Sequence, residues 1–277
     1  MDFFSPETDT HDFLEGNGRV PAHRHLNKGG ALGGWVADSA YVEATCWISH
    51  RAEIFGNARI LGNAWIMGKV RDNAEVSGDA VVWHGAVVAD DARVGERAVI
   101  AGPAVVSGEA VVDGEAVIEG GARVCGAANV SGAANVRGTS TVCEEAYVGG
   151  CAVVRGAATV RGKARVVGNA VVFGSAVVSG NAVIQGHAYV AGNAEVCDHA
   201  VCDGDATVCG NARVSGHAEV GEDAVVAEHA SVGGHAKVRG ESKVCGMARV
   251  SGDVTLEDGI FIDREANGIA VEGEVRS

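Results

Sequence analysis

Aromatic side chains are scarce in this sequence: they make up 5% of the residues, although hydrophobic residues make up 47%. A compact core in a chain of this length normally uses more Phe, Tyr, Trp and Leu. Here the apolar residues are mainly Val and Ala, small side chains that fill narrow spaces. The scarcity predicts a thin interior, and the high apolar content excludes an intrinsically disordered chain.

Basic residues are also few, since 22 Lys and Arg stand against 36 Asp and Glu, a formal net charge of −14. An acidic chain is repelled by nucleic-acid phosphates and by anionic membrane surfaces. We therefore expect no nucleic-acid partner and no membrane partner.

Further absences concern location. The first residues, MDFFSPETDTHDFLEG, lack a basic segment followed by an apolar one, so no secretory signal is predicted. No apolar run approaches the roughly 18 residues of a membrane-spanning helix. The eight cysteines include no CxxC pair and no disulfide-rich frame, which predicts reduced thiols. Together these absences predict a cytoplasmic protein.

Glycine, in contrast, is abundant, at 41 of 277 residues, and it marks a repeat of six residues. The repeat is plain in SGNAVIQGHAYVAGNAEV, from Ser179 to Val196. Steps of six from Val70 to Ile262 give 33 positions, of which only Cys202 is not aliphatic. A second series of steps of six, from Ala74 to Ala266, gives another 33 positions, of which 29 are Ala. The four exceptions are Ser140, Ser242, Val254 and Ile260.

Inward Ala, an outward residue and inward Val alternate with the period of a short β-strand. Gly with Asn, Asp or His between strands supplies a tight corner that needs positive φ. Such a hexad cannot bury its apolar edge alone, so successive hexads must wind into coils that stack as a β-solenoid. An earlier block runs from Val36 to Ile66, and the step from Ile66 to Val70 is two residues short.

The repeat resembles the hexapeptide-repeat family, whose fold is a single-stranded left-handed parallel β-helix. The resemblance implies the handedness and three hexads per coil, hence about 13 coils. The stretch from Gly29 to Ile48 is more specifically similar to the YdcK-like proteins of bacteria and phages. The predicted organisation is an N-terminal arm or cap in residues 1–35, the all-β helix in residues 36–262 and a C-terminal cap in residues 263–277.

Both predicted end segments have an apolar signature. Phe3, Phe4, Phe13 and Leu14 lie in the first segment, and a cap is favoured there over a partner-binding arm because an open β-helix exposes a strand edge. In the last segment Ile269, Val271 and Val275 alternate as in a short strand.

Residues three hexads apart share a column on one face of the predicted coil. One face, the first face, is more apolar outward than the other two, which predicts a surface for self-association. The predicted interface residues are Val81, Val99, Val117, Val153, Val171, Tyr189, Val225, Trp83 and Phe173. Trp83 and Phe173 lie beside this column, whose remaining outward residues are Asn135, Thr207 and Lys243.

Corner histidines are the candidates for chemistry, because the family resemblance implies a His general base acting on an acyl thioester. The catalytic candidates are His187, His199, His217, His229 and His235. His199, His217 and His235 share one column and are also candidate metal ligands, since adjacent imidazoles could share an ion. Against both interpretations, the corner also accepts residues such as Asn169 and Asp205.

The positions of four cysteines in the repeat indicate whether they lie outside or inside the coil. Cys125 and Cys143 share an outward column within disulfide reach, whereas Cys202 takes an aliphatic inward site and Cys46 an Ala site. Packing explains the last two cysteines without any redox role.

Two functions stay open from the sequence. The first is a non-catalytic structural or binding rod, a homo-oligomer through its valine-rich face, without a cofactor. The second is an acyl-CoA-dependent acyltransferase with acetyl-CoA as substrate, which the resemblance implies. The absence of loop insertions from Val70 to Ile262 disfavours the enzyme, because a pocket can then form only at the slip from Ile66 to Asp72, at the two ends or in a groove between subunits.

Overall fold

The computed structural model describes residues 9–16, 18–263 and 265–267. These residues form an all-β parallel solenoid of about 13 coils with three sheets, and no helix occurs among them. Accordingly, the described part of the chain has no helix able to cross a bilayer. The chain divides into two units of dense internal contact, Met1–Gly121 and Ala122–Ser277, and each unit contains coils built from two-residue strands.

A regular hexad contains a strand of two residues, of which the first points outward and the second inward. Val81 is half-buried and Val82 is fully buried. Val81 pairs in parallel with Val99, the equivalent residue three hexads later, and Val82 pairs with Ile100. Three hexads therefore make one coil, as predicted, and the three sides of the coil form the first, second and third sheets.

The strands are distributed over the three sheets in chain order as follows. The first sheet contains Trp47–Ile48, Trp65–Ile66, Val81–Val82, Val99–Ile100, Val117–Ile118, Asn135–Val136, Val153–Val154, Val171–Val172, Tyr189–Val190, Thr207–Val208, Val225–Val226, Lys243–Cys245 and Ile260–Ile262. The second sheet contains Thr10–Asp12, Arg19–Leu26, Leu32–Ala37, Glu53–Ile54, Lys69–Val70, Val87–Val88, Val105–Val106, Arg123–Val124, Thr141–Val142, Thr159–Val160, Val177–Val178, Glu195–Val196, Arg213–Val214, Ser231–Val232, Arg249–Ser251 and Glu265–Asn267. The third sheet contains Tyr41–Val42, Arg59–Ile60, Glu75–Val76, Arg93–Val94, Val111–Val112, Asn129–Val130, Tyr147–Val148, Arg165–Val166, Val183–Ile184, Val201–Cys202, Glu219–Val220, Lys237–Arg239 and Thr255–Glu257.

The interior is as thin as the composition predicts. Inward Ala, Val and Ile side chains are almost all 0% exposed. The predicted exceptions Ser140, Ser242 and Cys202 are also 0% exposed. The Ser140 hydroxyl donates to the carbonyl of Arg137 at 2.9 Å, so this buried polar group is satisfied.

Corners between regular strands need positive φ and leave little room. Gly156 has φ of 76°, and a Cβ at this position would lie 2.7 Å from the carbonyl oxygen of Gly174 in the neighbouring coil. Stacked corners of this kind explain why glycine recurs at one place in the hexad.

The predicted slip between Ile66 and Val70 is confirmed. The strand Lys69–Val70 pairs with Glu53–Ile54 at an offset two positions short of three hexads, and the regular offset returns with Val87–Val88. Gly68 takes the place of the inward Ala, where a Cβ would lie 2.4 Å from the carbonyl oxygen of Ala86. The short corner therefore brings the backbone at Gly68 into close contact with the backbone of the next coil, which leaves no room for a side chain.

The inward register predicted at Ile260 and Ile262 is wrong. Phe261 is 9% exposed, whereas Ile260 is 55% and Ile262 is 52% exposed. Phe261 takes the place that the hexad rule assigns to Ile262 and pairs with Val244, because the corner before it is one residue short. The regular inward ladder thus ends at Leu256, which is 0% exposed.

The shift continues in the last described strand. Ala266, predicted at an Ala position, instead pairs with Val250 at an aliphatic position. Ile269, Val271 and Val275 lie outside the described residues, so the predicted C-terminal cap stays a prediction.

Antiparallel strands precede the first coil. Arg19–Leu26 pairs with Thr10–Asp12 on one side and with Leu32–Ala37 on the other. The buried side chain of Asn27 donates to the carbonyl and accepts from the N–H of Ile48, both at 2.8 Å. Of the predicted apolar cap residues, Phe13 is buried and Leu14 is exposed, and Phe3 and Phe4 lie outside the described residues.

Candidate functional site

The first face carries exposed apolar side chains in the unit Met1–Gly121. Trp47 and Trp65 occupy outward positions on neighbouring coils, with ring centroids 5.2 Å apart, and both are exposed. Outward Val81, Val99 and Val117 continue this column and are half-buried. Beside the column, Trp83 is also exposed.

In the unit Ala122–Ser277 the first face is apolar at most of its outward positions. Val153, Val171, Tyr189 and Val225 are half-buried there. Phe173 is exposed beside them, and the guanidinium of Arg155 lies 4.5 Å from its ring centroid. All nine predicted interface residues therefore reach the surface of their own unit.

The second and third faces carry charge pairs at equivalent outward positions. On the second face, Arg213 binds the Glu195 carboxylate. On the third face, Glu219 accepts from Arg239 at 2.6 Å and contacts Lys237 at 3.3 Å. The hydrogen bond from Arg239, assisted by Lys237, lowers the pKa of Glu219. The outward faces thus differ chemically, as the sequence columns predict.

The histidine column forms a stack at one corner. His199 and His217 have ring centroids 4.7 Å apart, and His217 and His235 have centroids 4.9 Å apart, with nearly parallel rings. Parallel rings hold their nitrogens side by side and do not aim them at one common point. Among the described residues, no group of three or more His, Cys, Asp or Glu is arranged to hold a metal ion.

The other two catalytic candidates lie at different corners. His187 precedes a strand of the first sheet, and His229 precedes a strand of the second sheet. All five candidate histidines are exposed on a regular coil, and the structure does not gather them into one site. A general base needs a pocket that positions its substrate, and a convex corner does not supply one.

The cysteines are all free thiols. Burial raises the pKa of Cys202 to about 12 and that of Cys197 to about 11. Burial and the neighbouring Cys125 raise the pKa of Cys143 as well. These thiols stay protonated at neutral pH, so they are poor nucleophiles.

Acidic residues at corners have a structural role that the sequence reasoning missed. Glu144 has φ of 63°, and its carboxylate accepts from the N–H of Gly162 on the next coil at 2.9 Å. Asp90 bonds Gly108 in the same way, at 2.9 Å. The signal was available, because an acid replaces the recurring corner glycine at each such place. Some of the acidic residues therefore stabilise the solenoid through hydrogen bonds between corners of neighbouring coils.

A cleft lies at the N-terminal end of the unit Met1–Gly121, next to the slip from Ile66 to Asp72, where the sequence leaves room for a pocket without indicating its lining. The N-terminal segment and the corner after Lys69–Val70 enclose a cleft of about 430 Å³. Phe13 and Phe55 form part of its wall, with ring centroids 4.6 Å apart. Arg71 and Asp72 contribute charge to its lining.

No protein-family model matches this chain, and no curated protein matches its sequence. The solenoid fold is therefore established by the structure alone.

Proposed function

We propose that this protein is a non-catalytic structural or binding solenoid of the hexapeptide-repeat type, left-handed and YdcK-like, that self-associates through its first face. The proposal includes a cytoplasmic location, in keeping with the eight free thiols. The observation that carries it is the column of exposed or half-buried Trp, Val and Tyr side chains on one face.

The contrast between faces supports this proposal. If outward Val served only strand propensity, all three faces would carry it equally. Instead, the second and third faces carry ion pairs such as Lys69–Glu53 at 2.6 Å and Arg59–Glu75 at 2.9 Å. Flat apolar columns that are flanked by exposed Trp and Phe are typical of protein interfaces.

A solution mass measurement tests the proposal. We expect the wild-type chain to be a homo-oligomer and the triple variant Val99→Lys, Val117→Lys, Val171→Lys to be a folded monomer, because three charges would be buried in the contact. Light scattering after gel filtration gives the mass, and circular dichroism reports folding.

A matched control places the same three charges on the other faces. Val87, Val111 and Val183 are half-buried outward valines of the second and third sheets. Their replacement by Lys should leave the oligomer intact. A wild-type chain that is monomeric at micromolar concentration, or a control that dissociates equally, contradicts the proposed face.

The alternative proposal is an acyl-CoA-dependent acyltransferase whose active site lies between subunits. It is favoured by the exposure of the corner histidines, since a neighbouring subunit could reach His187 or the stacked column and supply the second wall. Calorimetry of the oligomer with coenzyme A and acetyl-CoA separates the two functions. Micromolar binding that a His→Ala change abolishes would replace the structural role by the enzyme.

A further inference from the structure

We propose that the N-terminal cleft binds a small zwitterion with an apolar body, which is the chemistry of a free apolar α-amino acid. The cleft measures about 430 Å³, enough for a molecule of this size. It lies where the chain departs from the hexad rule, between the N-terminal segment and the corner that follows the short step.

The apolar half of the cleft comes from both segments. Phe13 and Val20 of the N-terminal segment face Ala37 and Phe55 of the coil. Phe13 is 4% and Phe55 is 9% exposed, and their rings stack at 4.6 Å with 27° between the planes. The two buried rings hold this wall rigid, and the half-buried Val20 adds apolar surface that a ligand can contact at the edge of the pair.

The polar half of the cleft carries charges of both signs. Arg71 donates from Nη1 to Asp72 at 2.8 Å, and this bond uses one of the five N–H donors of the guanidinium. Glu15 is exposed and also lines the cleft. A carboxylate can therefore pair with the remaining donors of Arg71, while an ammonium can pair with Glu15 or Asp72.

Charge balance selects the zwitterion over its simpler relatives. Two carboxylates and one guanidinium line the cleft, so a simple anion meets net negative charge there. A simple amine forgoes the charge-assisted hydrogen bonds that Arg71 can donate to a carboxylate. A molecule with one charge of each sign can pair its carboxylate with Arg71 and its ammonium with Glu15 or Asp72.

The test is calorimetry on the full chain with three probes: L-phenylalanine, 3-phenylpropionate without the ammonium, and 2-phenylethylamine without the carboxylate. We expect saturable binding of L-phenylalanine and at least about tenfold weaker binding of both analogues, because each lacks one charge-assisted hydrogen bond. Absence of binding by L-phenylalanine, or equal binding of either analogue, overturns the proposal.

Two variants locate the binding. Val20→Trp fills the apolar half and Arg71→Gln removes the cation, so each should weaken L-phenylalanine binding at least about tenfold. Arg97→Gln is the control, since Arg97 belongs to the exposed pair with Glu115 and does not line the cleft. If Arg71→Gln does not fold, Val20→Trp and the two analogues still decide. Binding that Val20→Trp leaves unchanged overturns the proposal.

Discussion

The regular coils and the N-terminal segment share the second sheet, but they use their polar groups differently. In the coils, an outward or corner side chain meets its equivalent three hexads away, as when Asn193 donates to Asn211 at 3.0 Å. In the N-terminal segment the antiparallel strands break this period, so the exposed Glu15 faces a cleft.

The difference shows what repetition does to a surface. In repeated hexads, polar side chains bond to their equivalents on neighbouring coils. The faces that remain are flat and suit contact with another flat surface. The irregular N-terminal segment brings unlike side chains together around one cleft, which suits a small ligand. The regular coils thus support the proposed self-association, and the irregular end supports the proposed ligand site.

The largest effect should come from breaking the regular core. Val160 is fully buried and its neighbour Thr159 points outward. Val160→Asp should lower the free energy of unfolding by about 4 kcal/mol, because it buries an unpaired charge. Thr159→Asp should cost below about 1 kcal/mol. Urea titrations followed by circular dichroism measure both, and equal losses would contradict the register.

The irregular C-terminal end gives the next largest effect. Phe261→Ala should cost about 2 kcal/mol because it empties a buried position, whereas Ile262→Ala should cost less than about 0.5 kcal/mol. Urea midpoints of the two variants compare them directly. The reverse order would restore the register that the six-residue period predicts.

Corner acids allow a finer comparison within one regular corner. Glu144→Ala should cost about 1 kcal/mol, because the N–H of Gly162 loses its acceptor while the positive φ is unchanged. The adjacent Glu145 makes only an exposed pair with Lys163 at 3.4 Å, so Glu145→Ala should cost below about 0.3 kcal/mol. Equal thermal stability of the two variants would show that the corner hydrogen bond contributes nothing.

The smallest effect concerns pH. The pKa of Glu219 is lowered in the folded chain, first by the hydrogen bond from Arg239, so its contribution to stability is present above the unfolded pKa of about 4.3. That contribution is lost as the pH falls through the lower folded value. Between about pH 6 and pH 3, the wild type should therefore lose more stability than Glu219→Gln. Parallel profiles of urea midpoint against pH would contradict this pairing.

The sequence predicted the fold closely where one rule repeats. Inward Ala and Val, the buried exceptions Ser140 and Cys202, and the short step before Val70 are confirmed, since each depends only on position in the hexad. The rule failed at Ile260 and Ile262, because a corner there is one residue shorter and the pattern of Ile and Phe fits either register.

The candidate sites were less predictable. The sequence predicted which outward residues and histidines share a column at the surface, because that prediction needs only the constant offset of three hexads. The cleft depends on how Phe13 and Val20 fold back over Phe55 and Arg71. The N-terminal segment carries no repeat, so no period in the sequence predicts that contact.

The constant offset between paired strands also determines how the chain folds. Parallel sheets usually join residues that are distant in sequence, and closing such long loops slows folding. Here each regular strand finds its partner three hexads away, as Val171 finds Tyr189, whatever the length of the chain. The entropic cost of closing the loop is therefore modest and equal at every step. Folding can nucleate at any pair of neighbouring coils and then propagate in both directions, as in other linear repeat proteins.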